Sequence, residues 1–131
     1  MKTIGVDTNV LITLKLHRQP GFNKAKSYLQ NCLDGKVKLF IPLPAILETE
    51  WVLRSYYEYP KEKITEYFEE LITVENIFTE NKDEFKIALN LFKQNPKISF
   101  TDCVIMSQIQ TRDYDFLTFD QKLEKLYKSL S

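Results

Sequence analysis

The chain has 131 residues, 44% hydrophobic and 27% charged. That length predicts one domain spanning 1–131, able to bury roughly two-thirds of its unfolded surface without a disulfide or a structural metal. Eighteen basic and eighteen acidic residues cancel, which excludes a grip on nucleic acid through overall charge and leaves only a local one.

Nine Phe, seven Tyr and one Trp argue against disorder. Cys32 and Cys103 match no zinc or redox spacing and fall in apolar-patterned segments, so they are expected as reduced core thiols, which fits a cytoplasmic location. The opening residues lack a signal-peptide pattern. No apolar run approaches the ~18 residues that a membrane span needs.

In chain order, Lys2–Val6 reads as a short, buried, β-branched strand. Asp7, Thr8 and Asn9 follow at once, and all are good helix N-caps. Val10–Leu16 predicts a short helix and His17–Pro20 a loop. Phe22, Ala25, Tyr28, Leu29 and Leu33 recur at helical spacing, predicting a helix over 21–33 that ends near Gly35. Val37–Ile41 reads as a second strand, stopped by Pro42.

Pro44–Tyr57 is the most apolar helical stretch. Lys61–Leu71 is another helix, with Ile64, Tyr67, Phe68, Leu71 and Ile72 on one face. Thr73–Phe78 is a candidate third strand, and Asn81–Gln94 a helix that Pro96 ends. Ser99–Thr111 predicts a helix capped by Ser99 or Thr101. Asp115–Thr118 reads as a fourth strand and Gln121–Leu130 as a last amphipathic helix. Strands alternating with helices imply an α/β fold with a parallel sheet. In such sheets ligands collect at the carboxyl ends of the strands.

The chemistry left to this chain is carboxylate chemistry. Its one histidine, His17, sits in a polar loop with no triad motif around it, and three glycines build no phosphate loop. Asp7 closes the first strand, Asp120 follows the last, and Glu48 and Asp102 lie early in apolar helices.

Structural roles compete with catalytic ones. Asp7 and Asp120 would cap the helices that follow them, and Asp102 would favour a first turn. Glu48 shares a face with Ala45, Trp51 and Val52, toward or beside the core. Glu50 shares one with Ile46, Leu47 and Leu53, and periodicity leaves both acids open. Asp113 and Asp115 belong to the turn before the last strand. Several acids meeting at one point would suit a hard divalent cation bound through oxygen. Metal-assisted phosphodiester hydrolysis is the expectation that follows.

Four segments carry a family resemblance. They are Ile4-Gly5-Val6-Asp7-Thr8-Asn9-Val10-Leu11, Ile46-Leu47-Glu48-Thr49-Glu50-Trp51-Val52-Leu53-Arg54, Ile98-Ser99-Phe100-Thr101-Asp102-Cys103-Val104-Ile105 and Leu117-Thr118-Phe119-Asp120. In this order they resemble the PIN-domain family, in particular the small ribonuclease toxins of the VapC type. The family's Glu, with two residues between it and Trp-Val-Leu, favours Glu48 over Glu50. Cys103 departs from the small residue usual after the third acid.

The resemblance implies a three-layer sandwich with a central parallel sheet of about four to five strands. It implies a magnesium- or manganese-dependent endoribonuclease acting on single-stranded RNA. Asp7 and Asp102 would hold the main ion, and Glu48 and Asp120 would complete the site. Thr8 and Asn9 would support the turn, and Thr118 would orient an acid. Arg18 and Arg54 are candidates for RNA contact.

The resemblance also implies a small antitoxin partner and a homodimer. Tyr56, Tyr57, Tyr59, Phe68 and Leu71 are candidate lining for either interface, although an aromatic stripe at helical spacing is more often core. Two alternatives stand beside the nuclease. One is a catalytically weak PIN-like module that binds RNA or protein. The other is a phosphatase using Asp7 as nucleophile, which the absence of an Asp two residues later disfavours.

Overall fold

The computed structural model describes residues 1–131. Its elements, in order, are β1 (Lys2–Gly5), α1 (Thr8–Leu16), α2 (Phe22–Leu33), β2 (Val37–Phe40), α3 (Leu43–Ser55), α4 (Lys61–Thr73), β3 (Ile77–Phe78), α5 (Lys82–Gln94), α6 (Phe100–Thr111) and α7 (Gln121–Leu130). The fold is α/β: seven helices and one sheet of three parallel strands in the order β1-β2-β3. No helix is long and apolar enough to cross a membrane. The backbone falls into two compact units, Met1–Lys82 and Asp83–Ser131.

The first unit holds the whole sheet. Lys2 pairs with Val37 and Gly5 with Phe40; Leu39 pairs with Ile77 and Phe40 with Phe78. α1 and α2 connect β1 to β2, and α3 and α4 connect β2 to β3. Each connection is thus the helical crossover that parallel neighbours require. Leu11, Ile12, Leu39, Leu53, Ile64, Phe68 and Ile77 are almost wholly buried here. Their aliphatic and aromatic bulk supplies the main favourable term of folding.

Local chemistry sets the helix ends. Asp7 caps α1: its Oδ1 accepts from the Val10 N–H at 3.1 Å. His17 ends α1 in the left-handed region, φ 54°, and its ring lies 4.5 Å from that of Phe22. Gly35, at φ 76°, turns the chain from α2 toward β2, a conformation a side chain would strain. α3 begins behind Pro42 with no side-chain cap of its own. Its first N–H, on Leu43, instead donates to both carboxylate oxygens of Glu80, at 3.1 and 2.9 Å.

The second unit is helical. Ser99 caps α6 by accepting from the Asp102 N–H, and Asp120 caps α7 by accepting from the Leu123 N–H at 3.0 Å. Phe100 packs edge-on against Phe85 and Phe92. Glu84, nearly buried, accepts from Arg112 and from the Thr111 hydroxyl, both at 2.7 Å. α6 packs on α7.

Two expectations about strands are corrected. The third strand is two residues long, because α4 runs on through Thr73 and leaves only Ile77 and Phe78 to pair. Asp115–Thr118 is not a strand. It makes no ladder hydrogen bonds, and Leu117 and Phe119 are 85% and 97% exposed. An apolar run has strand propensity, but a strand exists only where a neighbour accepts its backbone groups.

The aromatic set weighed between core and interface divides between them. Phe68 and Leu71 are core residues of the first unit, while Tyr56 is exposed and Tyr57 and Tyr59 are half-buried. The stripe of α4 faces inward because its apolar residues recur at the helical period.

Candidate active site

β1 ends at Gly5, and the chain reaches Asp7 two residues later. β2 ends at Phe40, and Glu48 follows on the second turn of α3. Both acids therefore stand beyond the carboxyl ends of adjacent parallel strands. This is the side of an open α/β sheet where ligands bind. They line one pocket of about 490 Å³, together with Thr8, Asn9, Ile12, Arg18, Val52, Tyr56 and Tyr57.

Asp7 does two things at once. Its Oδ1 is held by the cap to Val10, which fixes the carboxyl group, and its Oδ2 makes no hydrogen bond within the protein. The cap therefore orients the acid rather than competing with a role in the pocket. Thr8 and Asn9 form the first turn of α1 beside it.

Glu48, expected toward or beside the core, is exposed. Glu50 takes the inward position, 2% exposed. Trp51, which shares the Glu48 face, is 57% exposed while Ala45 on that face is buried, so Glu48 lies at the margin where the face meets solvent. Glu50 is neutralised where it lies: Arg54 Nε donates to Oε2 at 2.7 Å and Nη2 to Oε1 at 3.3 Å. This forked pairing from one helical turn away satisfies a buried carboxylate that would otherwise be costly. Arg54, named beside Arg18 as a candidate for RNA contact, is the partner of Glu50, with its side chain half exposed.

Arg18 remains at the pocket. Its Nη1 donates to the Tyr57 hydroxyl at 3.0 Å and its Nη2 to Asn9 Oδ1 at 3.4 Å. The pocket thus carries two carboxylates and one guanidinium held beside them. A second cavity, of about 560 Å³, adjoins it through the shared residues Asn9 and Arg18.

Asp102 and Asp120 lie in the second unit, Asp102 in the first turn of α6 and Asp120 as the cap of α7. Thr118 serves the Asp120 turn by a different route from the one expected. Its hydroxyl accepts from the Asp120 backbone N–H at 3.0 Å, so it orients the backbone rather than the carboxylate. No group of three or more His, Cys, Asp or Glu side chains is gathered so as to hold a metal ion.

The donors that line the pocket are nonetheless all hard: carboxylate oxygens from Asp7 and Glu48, an amide oxygen from Asn9, and no sulfur or imidazole. That set fits magnesium or manganese, and no softer metal has a preferred ligand there. Cys32 and Cys103 are free, buried thiols elsewhere, and burial pushes the Cys32 thiol up from its ordinary range.

Two features of the first unit escaped the sequence. Glu80 lies 37 residues beyond Leu43, and no local pattern links a carboxylate to a distant helix start. The Arg18–Tyr57 bond spans 39 residues and is equally invisible in periodicity.

Comparison with known proteins adds one match. The model of the PIN domain matches residues 4–129. No curated protein matches the chain.

Proposed function

From the premise that this chain belongs to the PIN domain family, whose members are generally nucleases, we propose that it is a metal-dependent endoribonuclease. Its acids would be Asp7, Glu48, Asp102 and Asp120. The observation that carries this reading is the pairing of Asp7 and Glu48 in one pocket beyond the strand ends.

One or two magnesium or manganese ions held by these acids would polarise the phosphodiester and lower the pKa of a water nucleophile. The remaining work falls to the chain itself. The α1 cap holds the Asp7 carboxyl in place, and Arg18 supplies a guanidinium for a phosphate oxygen. Thr118 and Asp120 fix the turn that starts α7. With a net charge of zero, the chain's hold on RNA would be local to the pocket.

In the cell we place this activity in the cytoplasm, as the toxin of a toxin–antitoxin pair that forms a homodimer and is silenced by a small antitoxin. The support is the resemblance of the four acid-bearing segments to VapC-type chains. The exposed Trp51, Leu117 and Phe119 supply apolar surface for such partners.

The test is cleavage of a mixed RNA pool by the purified protein, with magnesium or manganese and with chelator. Cleavage should require metal, and the Asp7→Asn and Glu48→Gln variants should each lose at least about a hundredfold in rate, the scale of losing one charge-stabilising group in a hydrolytic site. A folded, metal-loaded protein that cuts nothing while still binding RNA would favour the binding module instead.

A further inference from the structure

The pocket of Asp7 and Glu48 has an aromatic wall that acid chemistry does not require. Tyr56 ends α3 and is 75% exposed. Single exposed aromatics are ordinary, but this ring is held in place. Tyr57 meets it edge-to-face, with centroids 4.8 Å apart and planes at 76°. Tyr57 is itself fixed by Arg18, and Arg18 reaches Asn9, two residues from Asp7. A continuous set of contacts thus joins the exposed ring to the turn that carries the acid.

Those parts match the parts of an unpaired nucleotide. A nucleobase offers a flat π-face, and an aromatic side chain binds it by stacking whatever its sequence. The adjoining phosphate is an anion that Arg18 can pair. A base inside a duplex keeps both faces stacked on its neighbours and has none to offer.

Resting on the nucleic-acid reading of this pocket, we propose that Tyr56 is the stacking platform for the nucleobase next to the phosphate that Arg18 pairs beside Asp7 and Glu48. It positions the strand and requires that base to be unpaired. It is a positioning residue and takes no part in bond breaking.

The experiment measures binding of short single-stranded RNA oligonucleotides, each carrying one abasic residue at a different position. The protein is the Asp7→Asn variant, so that the RNA stays intact. One abasic position should weaken binding about tenfold, the scale of a single base–aromatic stack. Adding Tyr56→Leu should weaken binding of the intact RNA by a similar factor and abolish the abasic penalty. Tyr56→Phe, which keeps the ring, should preserve both.

An abasic penalty of the same size with and without the tyrosine ring overturns the proposal, and so does absence of single-stranded RNA binding altogether. Cleavage by the wild-type protein is read separately. Abasic-sensitive binding without cleavage supports the platform and removes only the hydrolytic reading.

Discussion

Single residues in this chain are chosen by what neutralises them. Asp7, two residues past the first strand, caps a helix through Oδ1 while its side chain lines the pocket. Asn caps as well as Asp. Asp7→Asn should therefore leave the chelated protein within about 0.5 kcal/mol of wild type in urea unfolding, while Asp7→Ala should cost about 1 kcal/mol. A large loss of stability in the Asn variant would move Asp7 from the pocket to a purely structural role.

Glu50 shows the opposite design. Its carboxylate is buried and Arg54 is its partner. Arg54→Ala should destabilise the fold by about 2 kcal/mol, less than a fully buried pair would lose because Arg54 is half exposed. Its effect on RNA binding should be negligible, which a titration with a labelled oligonucleotide would check.

Helices in this fold begin where a distant or local group satisfies their first N–H groups. α1, α6 and α7 carry their own caps in Asp7, Ser99 and Asp120, and all three lie just before their helices in the sequence. α3 borrows Glu80. Burial pushes the Glu80 carboxyl up, but hydrogen bonds from the Leu43 N–H, the Thr79 hydroxyl and its own N–H outweigh that and hold it below the ordinary range.

A depressed carboxyl contributes stability that is present above the unfolded pKa and lost as pH falls through the lower, folded value. Wild type should thus lose stability below about pH 4.3. Glu80→Gln, less stable at neutral pH by about 0.5–1 kcal/mol, should show a shallower decline. Thermal melts from pH 7 to pH 3 would reveal it, and parallel curves would deny Glu80 its capping role.

At the scale of the molecule the decisive quantity is charge. Eighteen acids balance eighteen bases, so any RNA contact should be local, with Arg18 the cation at the pocket. Each phosphate neutralised on a single strand contributes about −0.7 to the slope of log K against log salt. The slope for this protein should therefore be shallow, about −1 to −2, when oligonucleotide binding is measured across a salt series. A slope beyond about −4 would reveal a broad basic face that the sequence balance does not suggest.

The local parts of this protein were legible in its residues. Every helix was foreseen, because apolar spacing and capping residues act within a few positions; Asp120 caps α7, and of Ser99 and Thr101 it is Ser99 that caps α6. So was the parallel character of the sheet, because helices separate its strands. The partnerships were not legible. Asp115–Thr118 has the composition of a strand without a neighbour to pair with, and strand formation depends on that neighbour. Periodicity left Glu48 and Glu50 open. Only packing showed that α3 turns Glu50 into the core against Arg54 and Glu48 out beside Asp7. Helical phase fixes the angle between two residues on one helix, but which face is inward is decided by the other elements that cover it.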